Sequence, residues 1–265
     1  MFLKKSALTV AAILLCMGML GTARADELSQ AGARLVEKYG QAVVSLQIVT
    51  KTTVSYGGKD ASKEESKSET TGLVIDPSGL VVTALSSTDP NDILRSFMPD
   101  KMQMSTQVTS VKIILSNGQE MPAQVVLRDK DLDLVFLKPK KKPAKPLVAT
   151  DLSNAAKPAL LDETITLYRL GTVASRSIAA CADRIQGIVE KPRMFYLPGA
   201  QTANTDGGAA IFDKDSKIVG ILVLRVAPGR ASSNSGFMSG MKESMIPIVI
   251  PASDILDAAR QALEK

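Results

Sequence analysis

The chain has 265 residues, a formal net charge of +5 and no histidine. This length is enough to bury one large or two small hydrophobic cores. The absence of histidine excludes the commonest general base and the commonest zinc ligand, and the sequence shows no spaced set of metal ligands. We therefore expect no metal and no cofactor. Since histidine normally titrates between about pH 5 and 8, we also expect little conformational response in that range.

The N-terminus has the pattern of a secretory signal peptide. Two lysines precede an apolar run at residues 7–20, which is followed by the small residues Ala23 and Ala25. This pattern predicts cleavage after Ala25, and the apolar run is too short for a comfortable membrane span. We expect residues 1–25 to be removed and the mature chain, starting near Asp26, to be periplasmic or extracellular.

Cleavage would change both the charge and the thiol content. It removes Lys4, Lys5 and Arg24, which lowers the net charge from +5 to +2, so a nucleic-acid partner is not expected. It also removes Cys16 and leaves Cys181 as the single cysteine, so no internal disulfide can form. No neighbour of Cys181 in sequence would lower its pKa, and we expect a buried, inert thiol.

The first half of the mature chain begins with a predicted helix and is then rich in strands. Apolar residues at helical spacing predict a helix over residues 31–39, and residues 42–48 alternate like a strand. Residues 51–70 are rich in Lys, Glu and Ser and predict an exposed loop. Two apolar runs, residues 73–75 and 80–83, flank a cluster of turn-forming residues and predict a β-hairpin.

More strands follow, and a helix closes the chain. Residues 138–146 hold five lysines and three prolines, which predicts an extended, solvated linker, with attraction to anionic surfaces as the alternative role. Ser253 is placed to cap a final helix that carries Ile255, Leu256, Ala259 and Leu263 on one face. The remaining strand candidates are residues 111–115, 123–128, 133–138, 164–168, 184–189, 217–221 and 245–250.

Three motifs closely resemble the HtrA/Deg group of trypsin-like serine proteases. Residues 71–88, TGLVIDPSGLVVTALSST, resemble the hairpin that leads to the catalytic histidine. Residues 133–138, DLVFLK, resemble the strand that opens with the catalytic aspartate. Residues 204–210, NTDGGAA, followed by an apolar strand at residues 217–221, resemble the nucleophile loop and the strand after it.

The resemblance implies an all-β fold, a trypsin-like double six-stranded antiparallel β-barrel with N-terminal and C-terminal helices. The signal peptide then occupies residues 1–25, the N-terminal helix and first barrel residues 26–137, the linker residues 138–146, and the second barrel and C-terminal helix residues 147–265. Many family members continue into a peptide-binding PDZ domain. None is expected here, because the sequence ends after the closing helix.

The resemblance also assigns site residues. Ser86 falls at the histidine position, Asp133 at the aspartate position and Asp206 at the serine position, so two of the three catalytic residues depart from the family pattern. Asn204, Thr205 and Asp206 fall where the family forms its oxyanion hole. Ser86 cannot act as a base near neutral pH, and an aspartate is a poor nucleophile towards an amide. The Asp206 carboxylate would also repel an oxyanion.

These departures predict an exported, catalytically inactive homologue that acts as a peptide- or protein-binding or scaffold module. Two alternatives remain open: an active serine endopeptidase-like hydrolase with a non-standard catalytic centre, and a purely structural subunit of an envelope assembly. The expected partner is a protein or an extended peptide, and an active HtrA-type protease is one candidate. A homo-oligomer is left open. No nucleic acid and no stable membrane span after signal cleavage are expected.

Overall fold

The computed structural model describes residues 27–56, 59–91, 102–226 and 245–265, so the predicted signal peptide and Cys16 lie outside the described residues. No helix among the residues it describes is long and apolar enough to cross a membrane. The helices of this part are α1 (residues 27–39), α2 (Ala200–Ala203) and α3 (Ala252–Leu263). Its strands are β1 (Val43–Tyr56), β2 (Lys59–Asp76), β3 (Leu80–Ala84), β4 (Met102–Ile114), β5 (Glu120–Asp129), β6 (Leu134–Pro139), β7 (Glu163–Arg169), β8 (Ile178–Val189), β9 (Phe195–Pro198), β10 (Ala210–Asp213), β11 (Ile218–Val226) and β12 (Met245–Pro251).

The strands close into two six-stranded barrels. The first has the strand order β1-β2-β3-β6-β5-β4, and the second has the order β10-β11-β12-β9-β8-β7. The neighbouring strands pair antiparallel. Because each barrel is closed, each of its strands pairs with a neighbour on both sides. The predicted all-β class, with two six-stranded barrels and a helix at each end, is confirmed.

The hairpin that leads to the site forms as the sequence predicts. The Gly79 N–H donates to the Asp76 carbonyl at 2.9 Å, and Gly79 has a φ of 94°, a conformation that favours glycine. Val82 pairs with Leu73 across the hairpin and with Phe136 on the other side. Because β3 is paired on both sides and buried along its whole length, it holds the turn that follows it in a fixed position.

The predicted loop at residues 51–70 is wrong. Its described residues, 51–56 and 59–70, instead extend β1 and β2 into a long antiparallel pair, and β4 pairs with β1 along its other edge. Side-chain hydroxyls bridge the strands, from Thr50 to Ser66 at 2.9 Å and from Thr52 to Thr106 at 3.2 Å. Residues 62–68 are exposed, as the composition suggested, whereas residues 52–55 are half-buried and Thr70 is buried. Pairing with a neighbouring strand satisfies the backbone of this stretch without an apolar side-chain pattern.

The terminal helices pack against the barrels. The ring of Tyr39, at the end of α1, stacks on Phe212 of β10 with centroids 5.1 Å apart. Helix α3 buries Ile255, which is fully covered. The predicted cap of α3 is wrong, because Pro251 occupies the N-cap position and no side chain makes a capping hydrogen bond. Ser253 lies inside the helix, where its hydroxyl contacts Asp254 at 3.2 Å.

The two barrels share one hydrophobic core. The larger cluster of buried apolar side chains draws on both barrels and on both terminal helices; its members include Leu35, Leu46, Phe136, Leu167, Phe212 and Ile255. A smaller cluster fills the second barrel; it contains Ile185, Tyr196, Ala209, Ile211, Val219, Leu222 and Val249. The shared cluster packs the second barrel against the first.

Candidate functional site

Ser86 and Asp133 form a hydrogen-bonded pair at the end of the first barrel. Ser86 follows β3 and Asp133 precedes β6, two strands that pair side by side, and the Leu85 N–H donates to the Asp133 carbonyl at 2.8 Å. The Ser86 hydroxyl donates to one carboxylate oxygen of Asp133 at 2.7 Å, and the Ser86 N–H donates to the other at 2.9 Å. The sequence predicted that these two residues share a site, and the structure brings them into direct contact.

Burial dominates the electrostatics of Asp133. Desolvation raises the pKa of its carboxyl from 3.8 to about 6, although the two Ser86 hydrogen bonds, the Arg225 charge and the Leu224 N–H all favour the ionised form. Leu224 and Arg225 belong to β11 of the second barrel, so both barrels contact this carboxylate. One carboxyl group therefore titrates inside the range from about pH 5 to 8, where the lack of histidine had predicted little response.

Asp206 lies in the loop between α2 and β10, which packs against the turn that carries Ser86. A Cβ atom placed on Gly207 would lie 2.5 Å from Ser87 Oγ and 3.0 Å from Ala84 Cβ. The Thr70 hydroxyl, from β2, donates to the Gly207 carbonyl at 2.8 Å. Asp206 itself is exposed, and the protein atoms around its carboxyl raise its pKa through partial desolvation. The loop therefore faces the first barrel across the cleft.

The two glycines after Asp206 allow this close approach. Gly208 has a φ of 93°, and a Cβ atom there would collide with the Thr71 carbonyl and with Thr83 Oγ1. Its N–H donates to Leu222 of β11 at 2.8 Å, which ties the loop to its own barrel as well. Larger residues at the two positions after Asp206 would therefore collide with the first barrel, which explains why both are glycine.

Two of the three backbone N–H groups of the predicted oxyanion hole, those of Asn204 and Thr205, are engaged within the loop. The Asn204 N–H donates to the Ala200 carbonyl at 3.2 Å, and the Thr205 N–H donates to the Thr202 carbonyl at 3.0 Å. The side chains of both residues reinforce these turns, Asn204 Nδ2 to Ala200 O and Thr205 Oγ1 to Thr202 O, each at 2.7 Å. Donors turned into α2 cannot converge on a developing negative charge in the cleft.

The described residues offer neither a metal site nor an activated cysteine. No group of three or more His, Cys, Asp or Glu residues in the described part of the chain could hold a metal ion. Cys181 is a free, half-buried thiol, and desolvation raises its pKa. A raised pKa keeps the thiol protonated, and thiolate is the reactive form.

Arg225 is a site residue that the sequence reasoning missed. Its Nη2 donates to the carbonyl of Asp131, so the side chain spans the cleft from the second barrel to the first. Its Nε is buried and has no hydrogen-bond partner among the described residues. The available signal was a single charged residue inside the otherwise apolar strand β11. A charge in such a strand needs a specific partner, and the neighbouring residues in sequence do not identify that partner.

A groove of about 790 Å³ opens beside Arg225, and we call it the cleft groove. Its apolar wall comes mainly from β9 and β12 of the second barrel, and its rim carries charges from both barrels. Met194 and Ile246 are partly exposed in it, at 37% and 36%. The residues that line it are Lys130, Asp131, Val189, Pro192, Arg193, Met194, Phe195, Leu197, Arg225, Ile246, Ile248 and Ile250.

A family model described as a trypsin-like peptidase domain matches residues 70–221, which is more than half of the chain. The matched span contains Ser86, Asp133 and Asp206. No curated protein matches the chain.

Proposed function

The chain belongs to the trypsin-like peptidase domain family, and on this premise we propose that it is a catalytically inactive member that binds an extended peptide or protein segment. The observation that carries the proposal is the contact between Ser86 and Asp133 at 2.7 Å. The Ser86 hydroxyl occupies the position of the histidine that accepts the proton of the nucleophile in active members of the family. The sequence contains no histidine that could replace that base.

Two further features support inactivity. The Asp206 side chain puts a carboxylate at the nucleophile position, where the transition state of acyl transfer develops negative charge. The N–H group of Asn204 is already bonded to Ala200 O at 3.2 Å, so it is not free to stabilise that charge. Losing one oxyanion donor costs on the order of 10²–10³ in rate, and here the base and the nucleophile are replaced as well.

Binding is the role that the cleft still supports. The cleft groove has the size of a ligand site and combines an apolar wall with a few charged groups. An extended peptide could place apolar side chains against this wall and direct acidic groups towards Arg193 and Arg225. We also propose export after cleavage behind Ala25, a relationship to HtrA proteins, and a protein partner, with an active HtrA-type protease and a second copy of the chain as candidates.

The test of inactivity uses purified protein, an unfolded protein substrate and a serine-directed phosphonate probe. The wild type should neither hydrolyse the substrate nor react with the probe, because an unactivated hydroxyl is a weak nucleophile. Asp206→Ser alone should remain inactive, and so should Ser86→His alone. Measurable hydrolysis should need both changes together with Asn204→Gly, because the effects of triad residues are strongly non-additive.

Two controls make this test decisive. Adding Asp133→Ala to the triple variant should abolish the regained activity, since the rebuilt histidine would lose its orienting carboxylate. Labelling of the untouched wild type by the probe, removed by Ser86→Ala or Ser87→Ala, would contradict inactivity. That result would favour the alternative of a hydrolase with a non-standard catalytic centre.

Binding is measured with the same unfolded protein, by fluorescence anisotropy. Ile246→Asp should weaken binding by about tenfold or more, because it places an unpaired charge in the apolar wall of the cleft groove. The matched control is Leu160→Asp, since Leu160 is 57% exposed and lies outside that groove. Equal affinities of the wild type and the Ile246→Asp protein would remove the cleft groove as the binding site, and no binding at all would favour a purely structural subunit.

A further inference from the structure

The lysine-rich segment at residues 138–146 is fixed to the first barrel, although its composition predicted a solvated linker. We call residues 140–146 the lysine strap. The Lys140 N–H donates to the Pro122 carbonyl at 2.8 Å at one end of the strap. Just beyond its other end, the Leu147 N–H donates to the Pro77 carbonyl at 3.0 Å. The strap therefore crosses the turn between β2 and β3.

Proline packing holds the strap close to this turn. A Cβ atom on Gly79 would lie 2.8 Å from Pro139 Cγ and 3.4 Å from Pro143 Cγ, so both rings rest on the glycine. Prolines also restrict the backbone of the strap before anything binds. A segment that is already ordered loses little conformational entropy on binding a partner.

The strap presents four lysines that no carboxylate pairs with in the described part of the chain. Lys140, Lys141, Lys142 and Lys145 are all exposed. None of them takes part in an ion pair among the described residues. The nearby carboxylate of Asp76 accepts the Ser78 N–H at 2.8 Å within its own turn.

The charge of the chain is concentrated here. The five lysines at residues 138–146 exceed the net charge of +2 expected for the mature protein, so the remainder of that protein would carry a net negative charge. Lys138 is the exception within the group, because its Nζ is occupied by the Leu263 carbonyl at the end of α3, at 3.0 Å. The four strap lysines thus form a compact positive surface on a protein that is otherwise slightly acidic.

We propose that the lysine strap is a peripheral binding surface for bilayers that contain anionic phospholipids. Lysines act as point charges that suit a diffuse layer of phosphate headgroups, and clusters of four to eight basic residues are typical of such surfaces. Nucleic acid fits less well, because the segment has no arginine for bidentate base or phosphate contacts and no aromatic residue for stacking on bases. The proposal is independent of whether the cleft binds peptides.

The test measures co-sedimentation of the protein with vesicles. A chain that starts at Asp26 contains every described element and avoids binding through the signal peptide. It should bind vesicles of phosphatidylglycerol and phosphatidylcholine in equal parts, and it should not bind phosphatidylcholine alone. Binding should disappear as the salt rises from about 0.05 M to about 0.5 M, because the Debye length falls below about 5 Å.

Lysine-to-glutamine variants test whether vesicle binding depends on the strap lysines. Each lysine near an anionic surface contributes about a fivefold gain in partition, so replacing all four strap lysines by glutamine should lower the partition coefficient by about 10²–10³-fold. Lys141→Gln alone should lower it about fivefold. The control has the same net charge and replaces four exposed lysines elsewhere, Lys67, Lys157, Lys214 and Lys217. Its partition coefficient should stay within about twofold of the wild-type value.

Three results would overturn the proposal. The first is no binding of the wild type to anionic vesicles at low salt. The second is an equal loss of binding in the strap variant and in the control variant, which would indicate a response to net charge alone. The third is binding of a DNA duplex with the same dependence on the strap lysines but without vesicle binding, which would assign the surface to nucleic acid.

Discussion

At the scale of single residues, the carboxyl of Asp133 has a pKa far above the ordinary value for an aspartate. Asp133 has a φ of 55°, and its carboxylate accepts two hydrogen bonds from Ser86. Burial nevertheless raises its pKa from 3.8 to about 6. The folded state therefore holds the proton to higher pH than the unfolded state. This contribution to stability is fully present below the unfolded pKa and is lost as the pH rises through the folded pKa.

We expect the free energy of unfolding of Asp133→Asn to respond less to pH than that of the wild type. The wild type should lose up to about 3 kcal/mol through this group between about pH 4 and pH 6.5, since one pKa unit corresponds to about 1.4 kcal/mol. Asparagine tolerates a positive φ and keeps an acceptor for the Ser86 N–H, so the substitution removes mainly the charge. Urea denaturation across this pH range measures the difference.

The control for this measurement is Asp151→Asn. Asp151 is exposed, and hydrogen bonds from the hydroxyl and N–H of Ser153 lower its pKa. Its linkage has the opposite sign, so its contribution is lost as the pH falls and the wild-type decrease above pH 4 should persist. A decrease of the same size in the Asp133→Asn protein would assign it to another group.

At the scale of secondary-structure elements, β7 connects the second barrel to the first through Arg169. This residue is 8% exposed, and its guanidinium donates to the Val43 carbonyl at 2.8 Å and to the Gly40 carbonyl at 2.6 Å. The Arg169 N–H donates to the Thr71 hydroxyl of β2 at 3.0 Å. One residue thus satisfies backbone carbonyls just after α1 and at the start of β1, and its own N–H is satisfied by a side chain of β2.

Arg169→Ala should therefore lower the free energy of unfolding by about 3 kcal/mol or more, because it leaves two buried carbonyls without their charged donor. Chemical denaturation of the variant and the wild type at one pH measures this loss. The matched control is Arg184→Ala, since Arg184 is exposed and its guanidinium lies 3.0 Å from the carboxylate of half-buried Glu163. Exposed ion pairs contribute at most about 1 kcal/mol. Similar losses in the two variants would contradict the role of Arg169.

At the scale of the whole molecule, the barrels behave as one body. The larger core cluster contains Leu46 of the first barrel and Phe212 of the second, together with side chains of both terminal helices. The Thr70–Gly207 hydrogen bond at 2.8 Å and the Arg169 contacts add polar links across the interface. Neither barrel can lose its structure without exposing apolar surface of the other.

This shared core predicts a single cooperative unfolding transition. In scanning calorimetry, the calorimetric and van't Hoff enthalpies of the chain starting at Asp26 should agree, and circular dichroism should follow the same curve. Two separate transitions, or a calorimetric enthalpy well above the van't Hoff value, would indicate barrels that unfold independently. As a comparison, Ile185→Ala probes the smaller cluster inside the second barrel and should lower Tm without splitting the transition.

The sequence by itself determined the class of the fold and predicted that Ser86 and Asp133 lie together. Residues 80–83 form a strand, and a short run of apolar residues in the sequence is enough to predict it. Residues 76–79 form a turn, which their turn-forming residue types predict in the same way. The motif order indicated which positions would meet, and the contact of Ser86 with Asp133 agrees with that indication.

Only the tertiary structure decided which distant residues pair or pack together and how the pKa of Asp133 is shifted. Residues 59–70 became a strand because β1 supplies pairing partners that composition does not reveal. The pKa of Asp133 depends on burial in the folded chain and on Leu224 and Arg225 of the second barrel. The position of Arg225 depends on the Asp131 carbonyl, which is 94 residues away in sequence. The lysine strap is ordered because Gly79 offers a surface for its prolines. Pairing, desolvation and packing join distant parts of the chain, whereas sequence patterns report mainly on neighbours.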